Sequence, residues 1–240
     1  MRDEALLANR AVSPDDGTEH ARGAAAMLAR FANRTDAGRR LANELQQYAH
    51  RSDVIVLALP RGGVPIGYEV AKALGAPLDV FVVRKIGLPW QEELAMGAVA
   101  SGGVRVFDRN LIRVAHVSDA DVERIANEEE RELERRERLY RGDRPFPEVR
   151  GKIVILVDDG LATGASMRAA VAALREDEPA RIVVAVPVAA PETCDAFRSI
   201  ADEIICAETP EPFQAVGLWY EDFSQTTDDD VRDLLARGTS

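Results

Sequence analysis

Apolar runs alternate along this chain with stretches of helical periodicity. Val54-Ile55-Val56-Leu57-Ala58-Leu59 contains no polar position, as a strand covered on both faces requires. Residues 78–83, 152–157 and 181–188 predict further strands of that kind, and 203–206 a short fifth. Between them, residues 66–74 and 166–174 place apolar side chains at helical spacing. Gly97 to Ala100 and Val104 to Phe107 flank Ser101-Gly102-Gly103 and predict a hairpin. Continuously apolar strands alternating with helices predict an α/β fold, a doubly wound parallel sheet with helices on both faces.

The flanking segments read differently. Residues 1–17 have little periodicity and include the turn-forming Pro14-Asp15-Asp16-Gly17. Residues 18–50 predict helix over 24–31 and again over 36–48, where Leu41, Leu45 and Tyr48 share a face. Residues 118–141 predict a long charged helix that opens on a capping box of Ser118 and Asp121. Glu132/Arg136, Glu134/Arg138 and Glu137/Arg141 are supportive i,i+4 pairs. Its apolar stripe, Val122, Ile125, Leu133 and Tyr140, is thin, so a mostly solvated helix docked along one edge is expected. From Pro210 the chain is aromatic and turn-rich, with a last amphipathic piece at 229–235. The expected organisation is a tail (1–17), a helical segment (18–50), a core (51–207) carrying the inserted helix, and a C-terminal segment (208–240).

Composition narrows the partners. At 240 residues the chain buries a real core, and its formal net charge of −11 argues against a nucleic-acid backbone as main partner. No stretch approaches the ~18 apolar residues of a membrane span, and Asp3 and Glu4 do not open a secretory signal. A cytoplasmic protein without a membrane partner is expected; Cys194 and Cys206 could pair with each other, but a reducing compartment favours free thiols. His20, His50 and His116 lack ligand-like spacing, which argues against a protein-built zinc site.

In doubly wound sheets ligands lie beyond the carboxyl ends of the strands. After residues 153–157 comes Asp158-Asp159-Gly160-Leu161-Ala162-Thr163-Gly164-Ala165-Ser166. Adjacent carboxylates repel unless sugar hydroxyls or a cation share them. The small, hydroxylated residues behind them lead into a helix, aiming backbone N–H groups and the helix dipole at one anion. Carboxylates for a diol beside a phosphate cup describe a ribose 5-phosphate site. A second strand end, Pro60-Arg61-Gly62-Gly63, combines close backbone approach with a guanidinium suited to phosphate. Gly62, Gly63 and Gly67 do not have the spacing of a dinucleotide loop. Arg84-Lys85 ends the second predicted strand and brings two cations to the same crevice.

These segments, in this order, resemble the type I phosphoribosyltransferase family over roughly residues 36–235. The resemblance implies that fold, with a small hood from the chain termini. It implies magnesium-dependent transfer of the phosphoribosyl group from phosphoribosyl pyrophosphate to a nucleobase or similar nitrogen acceptor. Asp158 and Asp159 would hold the ribose hydroxyls, and Mg²⁺ indirectly through those hydroxyls or water. Ala162, Thr163, Gly164, Ala165 and Ser166 would hold the 5-phosphate. Arg61, Gly62 and Gly63 would grip pyrophosphate on a loop that in the family often has a non-proline cis peptide. Arg84 and Lys85 would join them and assist catalysis, with a closing loop at 87–93 and Glu92 or Asp159 handling a proton. Phe213, Val216, Trp219 and Asp222 would meet the base, with Tyr220 and Phe223 as further stacking faces. A homodimer is compatible with this reading. Gly160 departs from the larger apolar residue usual in the family and is expected to loosen the loop. A regulator keeping the pocket as a phosphoribosyl pyrophosphate or nucleotide sensor is the alternative.

Overall fold

The structure, a computed structural model, describes residues 30–238. The predicted tail at 1–17 and all but the last two residues of the helix expected at 24–31 lie outside the described residues; Arg30 and Phe31 are not helical, and Phe31 forms a β-bridge with Tyr220. The described residues from Phe31 onward form one compact unit. Its elements are α1 (Arg34–Glu44), β1 (Val54–Ala58), α2 (Gly63–Leu74), β2 (Leu78–Val80), β3 (Val83–Leu88), β4 (Gln91–Ala100), β5 (Val104–Phe107), α3 (Arg109–Val114) and α4 (Asp119–Arg141). After these come β6 (Ile153–Val157), α5 (Ala165–Glu176), β7 (Arg181–Val188), α6 (Pro191–Phe197), β8 (Glu203–Glu208) and α7 (Asp228–Gly238).

The predicted parallel sheet is present, with five strands in the order β2-β1-β6-β7-β8. Alternate residues of each central strand feed two separate cores. Val54, Val56, Ala58, Ile155 and Val157 pack with α1, α2, α4 and α7, whereas Ile55, Leu57, Val154 and Leu156 pack with α5 and α6. Double coverage is why these strands carry no polar side chain. Winding reverses between β1 and β6, so the crevice beyond their carboxyl ends is the topological switch point.

The second predicted strand is corrected. Instead of running to Val83 with Arg84-Lys85 at its end, it stops at Val80, and β3 begins a separate antiparallel sheet, β3-β4-β5. Phe81 and Val82 are buried at the crossover, so the apolar run does not reveal the break. Arg84 and Lys85 lie within β3, paired with Val99 and Ala98 of β4. The predicted hairpin is present as the β4–β5 pairing, Ala100 opposite Val104. Residues expected as a closing loop form the tip of the β3–β4 hairpin, where Trp90 is exposed.

The long helix α4 starts as expected: the Ser118 hydroxyl accepts from the Asp121 N–H at 3.1 Å and donates to its carboxylate at 2.7 Å. The three i,i+4 pairs form at 3.0, 3.4 and 2.8 Å. The helix is nevertheless more firmly docked than its stripe suggests. Arg105 of β5 reaches Glu123 and Asn127 at 2.9 and 2.8 Å, and Arg141 is buried. The expectation of free thiols is also corrected, since a disulfide joins Cys194 of α6 to Cys206 of β8. Twelve residues apart in sequence, they are brought together by the return of β8 beside β7.

Candidate active site

At the switch point the turn after β1 faces the turn after β6. Leu59 N–H donates to Val157 O at 2.8 Å, the Pro60–Arg61 peptide is cis, and α2 begins at Gly63. A Cβ on Gly62 would lie 2.0 Å from Asp159 Oδ2, and one on Gly63 2.7 Å from Val157 O. Side-chain-free residues are therefore what let the two turns meet. The structure thus brings Gly62 and Gly63 against Asp158 and Asp159. Arg61 is half-buried, its guanidinium 3.8 Å from Asp228 of α7.

The two carboxylates are not equivalent. Asp158 Oδ1 accepts from the Asp159 N–H at 2.8 Å, and this carboxyl has no cation bonded to it among the described residues. Burial, and next the charge of Asp159, push its pKa well above the ordinary carboxylate value. Asp159 is paired. Its Oδ2 accepts from Arg34 Nε at 3.0 Å and Nη2 at 2.8 Å, while Arg34 Nη1 donates to Ser224 O at 2.7 Å. The same guanidinium lies 4.0 Å from the ring centre of Phe223 and 6.0 Å from that of Tyr220. The Tyr220 hydroxyl donates to Asp159 O at 2.6 Å, and burial holds its pKa above the ordinary phenol range.

Arg34 escaped the sequence reading, although it carries a signal. It is the first residue of α1, behind the N-cap Asn33, where the helix dipole disfavours a cation. A residue kept against that preference has another partner.

Both terminal segments meet at this pair. Phe31 N–H donates to Trp219 O and Glu221 N–H to Phe31 O, each at 2.8 Å. Val216 comes so close that a Cβ on Gly160 would sit 2.6 Å from its Cγ1. The expectation that Gly160 loosens the loop is therefore corrected: its missing side chain is the space Val216 fills. Among the other acceptor candidates, Phe213 and Trp219 pack part-buried against the core, while the Asp222 carboxylate accepts from Ser224 N at 2.9 Å.

Residues 162–166 form a tight turn into α5. Gly164 has φ +69°, and a Cβ there would lie 2.6 Å from Phe197. Thr193 of α6 donates to Ala162 O at 2.6 Å, bracing the turn from behind. The N-cap Gly164 offers no side chain to α5, the Ala165 N–H lies 3.5 Å from Thr163 Oγ1, and Thr163, Ala165 and Ser166 are exposed, so an anion can reach this helix start. Ser166 also borders a cleft of about 430 Å³ lined by Arg84, Lys85, Glu92, Arg124 and Glu129. Arg84 is ion-paired there with Glu129 of α4. The β3 cations and the end of the β6 turn thus share one concavity.

Comparison with known proteins gives a concordant answer. The model of the phosphoribosyl transferase domain family matches residues 25–221. A protein of Mycobacterium tuberculosis, provisionally named a phosphoribosyl transferase in two strains, is 44% identical over 207 residues. That match covers 86% of this chain and 46% of the relative, so the chain spans about half the length of those relatives. The crystal structure of TT1426 from Thermus thermophilus is 42% identical and superposes with a TM-score of 0.79, covering 88% of this chain and 100% of that one. The chain belongs to the phosphoribosyl transferase domain family.

Proposed function

We propose that this domain transfers the 5-phosphoribosyl group of phosphoribosyl pyrophosphate to a nitrogen acceptor, a nucleobase or similar heterocycle, and releases pyrophosphate. The observation that carries the proposal is the placement of Asp158-Asp159 at the switch point, between the Gly62-Gly63 turn and the turn into α5. In this reading the dyad takes the ribose hydroxyls, and residues 162–166 take the 5-phosphate. Arg61, Gly62 and Gly63 hold the pyrophosphate, helped by Arg84 and Lys85 of the adjoining cleft.

The chemistry follows from charge placement. The bond from ribose C1 to pyrophosphate breaks, a bond from C1 to the acceptor nitrogen forms, and that nitrogen loses a proton to Asp159 or Glu92. Carboxylates near C1 stabilise the positive charge that develops there, and the arginines and lysine stabilise the departing anion. Val216, Phe213, Trp219 and Asp222 on the terminal segment line the acceptor side. Excluding water matters, because water would capture the ribosyl cation.

Magnesium fits the donor set in one way. Among the described residues no three His, Cys, Asp or Glu side chains cluster as a metal cage. Asp158 and Asp159 would hold the ion indirectly, through the ribose hydroxyls or water, and its own ligands would be the substrate and water oxygens a hard cation prefers. When bound, the ion neutralises pyrophosphate charge.

The test is calorimetry with Mg²⁺ and phosphoribosyl pyrophosphate, then pyrophosphate release across a panel of nitrogen bases. Saturable binding lost in the Asp158→Asn/Asp159→Asn variant, with base-dependent release, is expected. Binding that the double variant leaves unchanged refutes the site. Binding without turnover on any base turns the reading to a sensor.

A further inference from the structure

Each carboxylate of the dyad has one oxygen already engaged. Asp158 Oδ1 takes the Asp159 N–H. Asp159 Oδ2 takes two N–H groups of Arg34 and is walled by Gly62, where even a Cβ would come within 2.0 Å. What remains is Asp158 Oδ2 and Asp159 Oδ1, one acceptor from each aspartate. A vicinal diol presents two neighbouring O–H donors, so the remainder is matched to it in number and kind.

Arg34 is itself fixed. Its third donor is held by Ser224 O, and its guanidinium carbon lies 4.0 Å from the centre of the Phe223 ring. Its side chain is 11% exposed. A lysine at this position supplies charge but not the planar fork that engages Asp159 and Ser224 together. The residue also sits where α1's dipole opposes a cation, so helix stability does not account for it.

We propose that Arg34 is the positioning residue of the dyad, fixing the Asp159 carboxylate so that one oxygen of each aspartate faces the sugar diol. This rests on the ribose assignment made above. Because Arg34 is carried by α1 and gripped by the segment around Ser224, it also ties the terminal hood to the donor's sugar. The substrate feature it controls is the hydroxyl pattern of the pentose, ribose against deoxyribose.

The experiment measures displacement of Mg²⁺-phosphoribosyl pyrophosphate by ribose 5-phosphate and by 2-deoxyribose 5-phosphate, in the unaltered chain, Arg34→Gln and Arg34→Lys. The unaltered chain is expected to prefer ribose. Arg34→Gln is expected to reduce that preference about tenfold, the loss of one hydrogen bond to a charged group, and Arg34→Lys to restore only part. A residue that merely supports the fold would weaken both sugars equally, so an unchanged ratio in Arg34→Gln overturns the proposal and leaves the ribose site standing. Full restoration by Arg34→Lys also overturns it, because charge alone then suffices. An unaltered chain that binds no donor, or shows no preference for ribose, removes the ribose assignment and this proposal with it. Circular dichroism verifies that each variant is folded, and if Arg34→Gln is not, the ratio in Arg34→Lys decides.

Discussion

Two arginine–aspartate pairs tie distant segments to the same parallel sheet, Arg141–Asp79 and Arg34–Asp159. Arg141 ends α4, where the helix dipole welcomes a cation, and reaches Asp79 in β2 at 2.8 Å. Its remaining donors go to Val80 O, Ser101 Oγ and Glu137 at 2.8, 3.2 and 2.8 Å. The pair is 3% and 10% exposed. Arg34 begins α1, against the dipole, and its pair is 11% and 18% exposed. Beside it stands a second carboxylate, Asp158, without an ion partner among the described residues. One pair is complete within the fold. The other is complete only on one side, and its open side is where a ligand fits. Local rules are obeyed at the structural pair and broken at the candidate site, as expected where function competes with stability.

The widest separation of the two pairs should come from breaking the structural one. Arg141→Ala leaves Asp79 buried without its cation and frees the end of α4 from the sheet edge. A loss of about 3–5 kcal/mol is expected, read by denaturant unfolding. Asp159→Asn in the ligand-free protein should lose less, about 2 kcal/mol, because Arg34 retains Ser224 O and the Phe223 ring and lies nearer water. Equal losses for the two variants would show that the pairs are alike and that the contrast between them is false.

Much of this scaffold is legible in the sequence. The runs at 54–59, 152–157 and 181–188 become β1, β6 and β7 with ends shifted by at most a residue, because burial on both faces leaves a local signature. Asp158-Asp159 and the turn into α5 are readable for the same reason: they abut a strand whose end is sharp. The pairs are not legible. Arg34 and Asp159 are 125 residues apart and Arg141 and Asp79 are 62 apart, and periodicity carries no record of which distant side chain answers which. The departure of β3 from the parallel sheet is hidden likewise, whereas two cysteines leave one possible pairing and only the expectation of a reducing compartment argues against it. For the pairs and for β3, topology, set by the whole chain, decides the partner.

Asp158 supplies the smallest effect, and one of opposite sign. Its carboxyl is held above the ordinary carboxylate range by burial and by the charge of Asp159, so folding favours its protonated form. Near pH 3 it is protonated folded or unfolded and carries no penalty. As pH rises through the unfolded value of about 4, the unfolded chain releases this proton while the folded chain retains it. Its contribution to stability therefore falls with rising pH until the folded group also ionises. Asp158→Asn removes the penalty. The variant should be more stable than the unaltered protein at neutral pH, by about 1 kcal/mol, while losing donor binding, a trade common where a site is built for a ligand. The gain should shrink to nothing as the melts are repeated down toward pH 3. A gain that persists there, or a loss at neutral pH, would show that Asp158 supports the fold in the manner of Asp79, and the two strand ends would then differ in degree only.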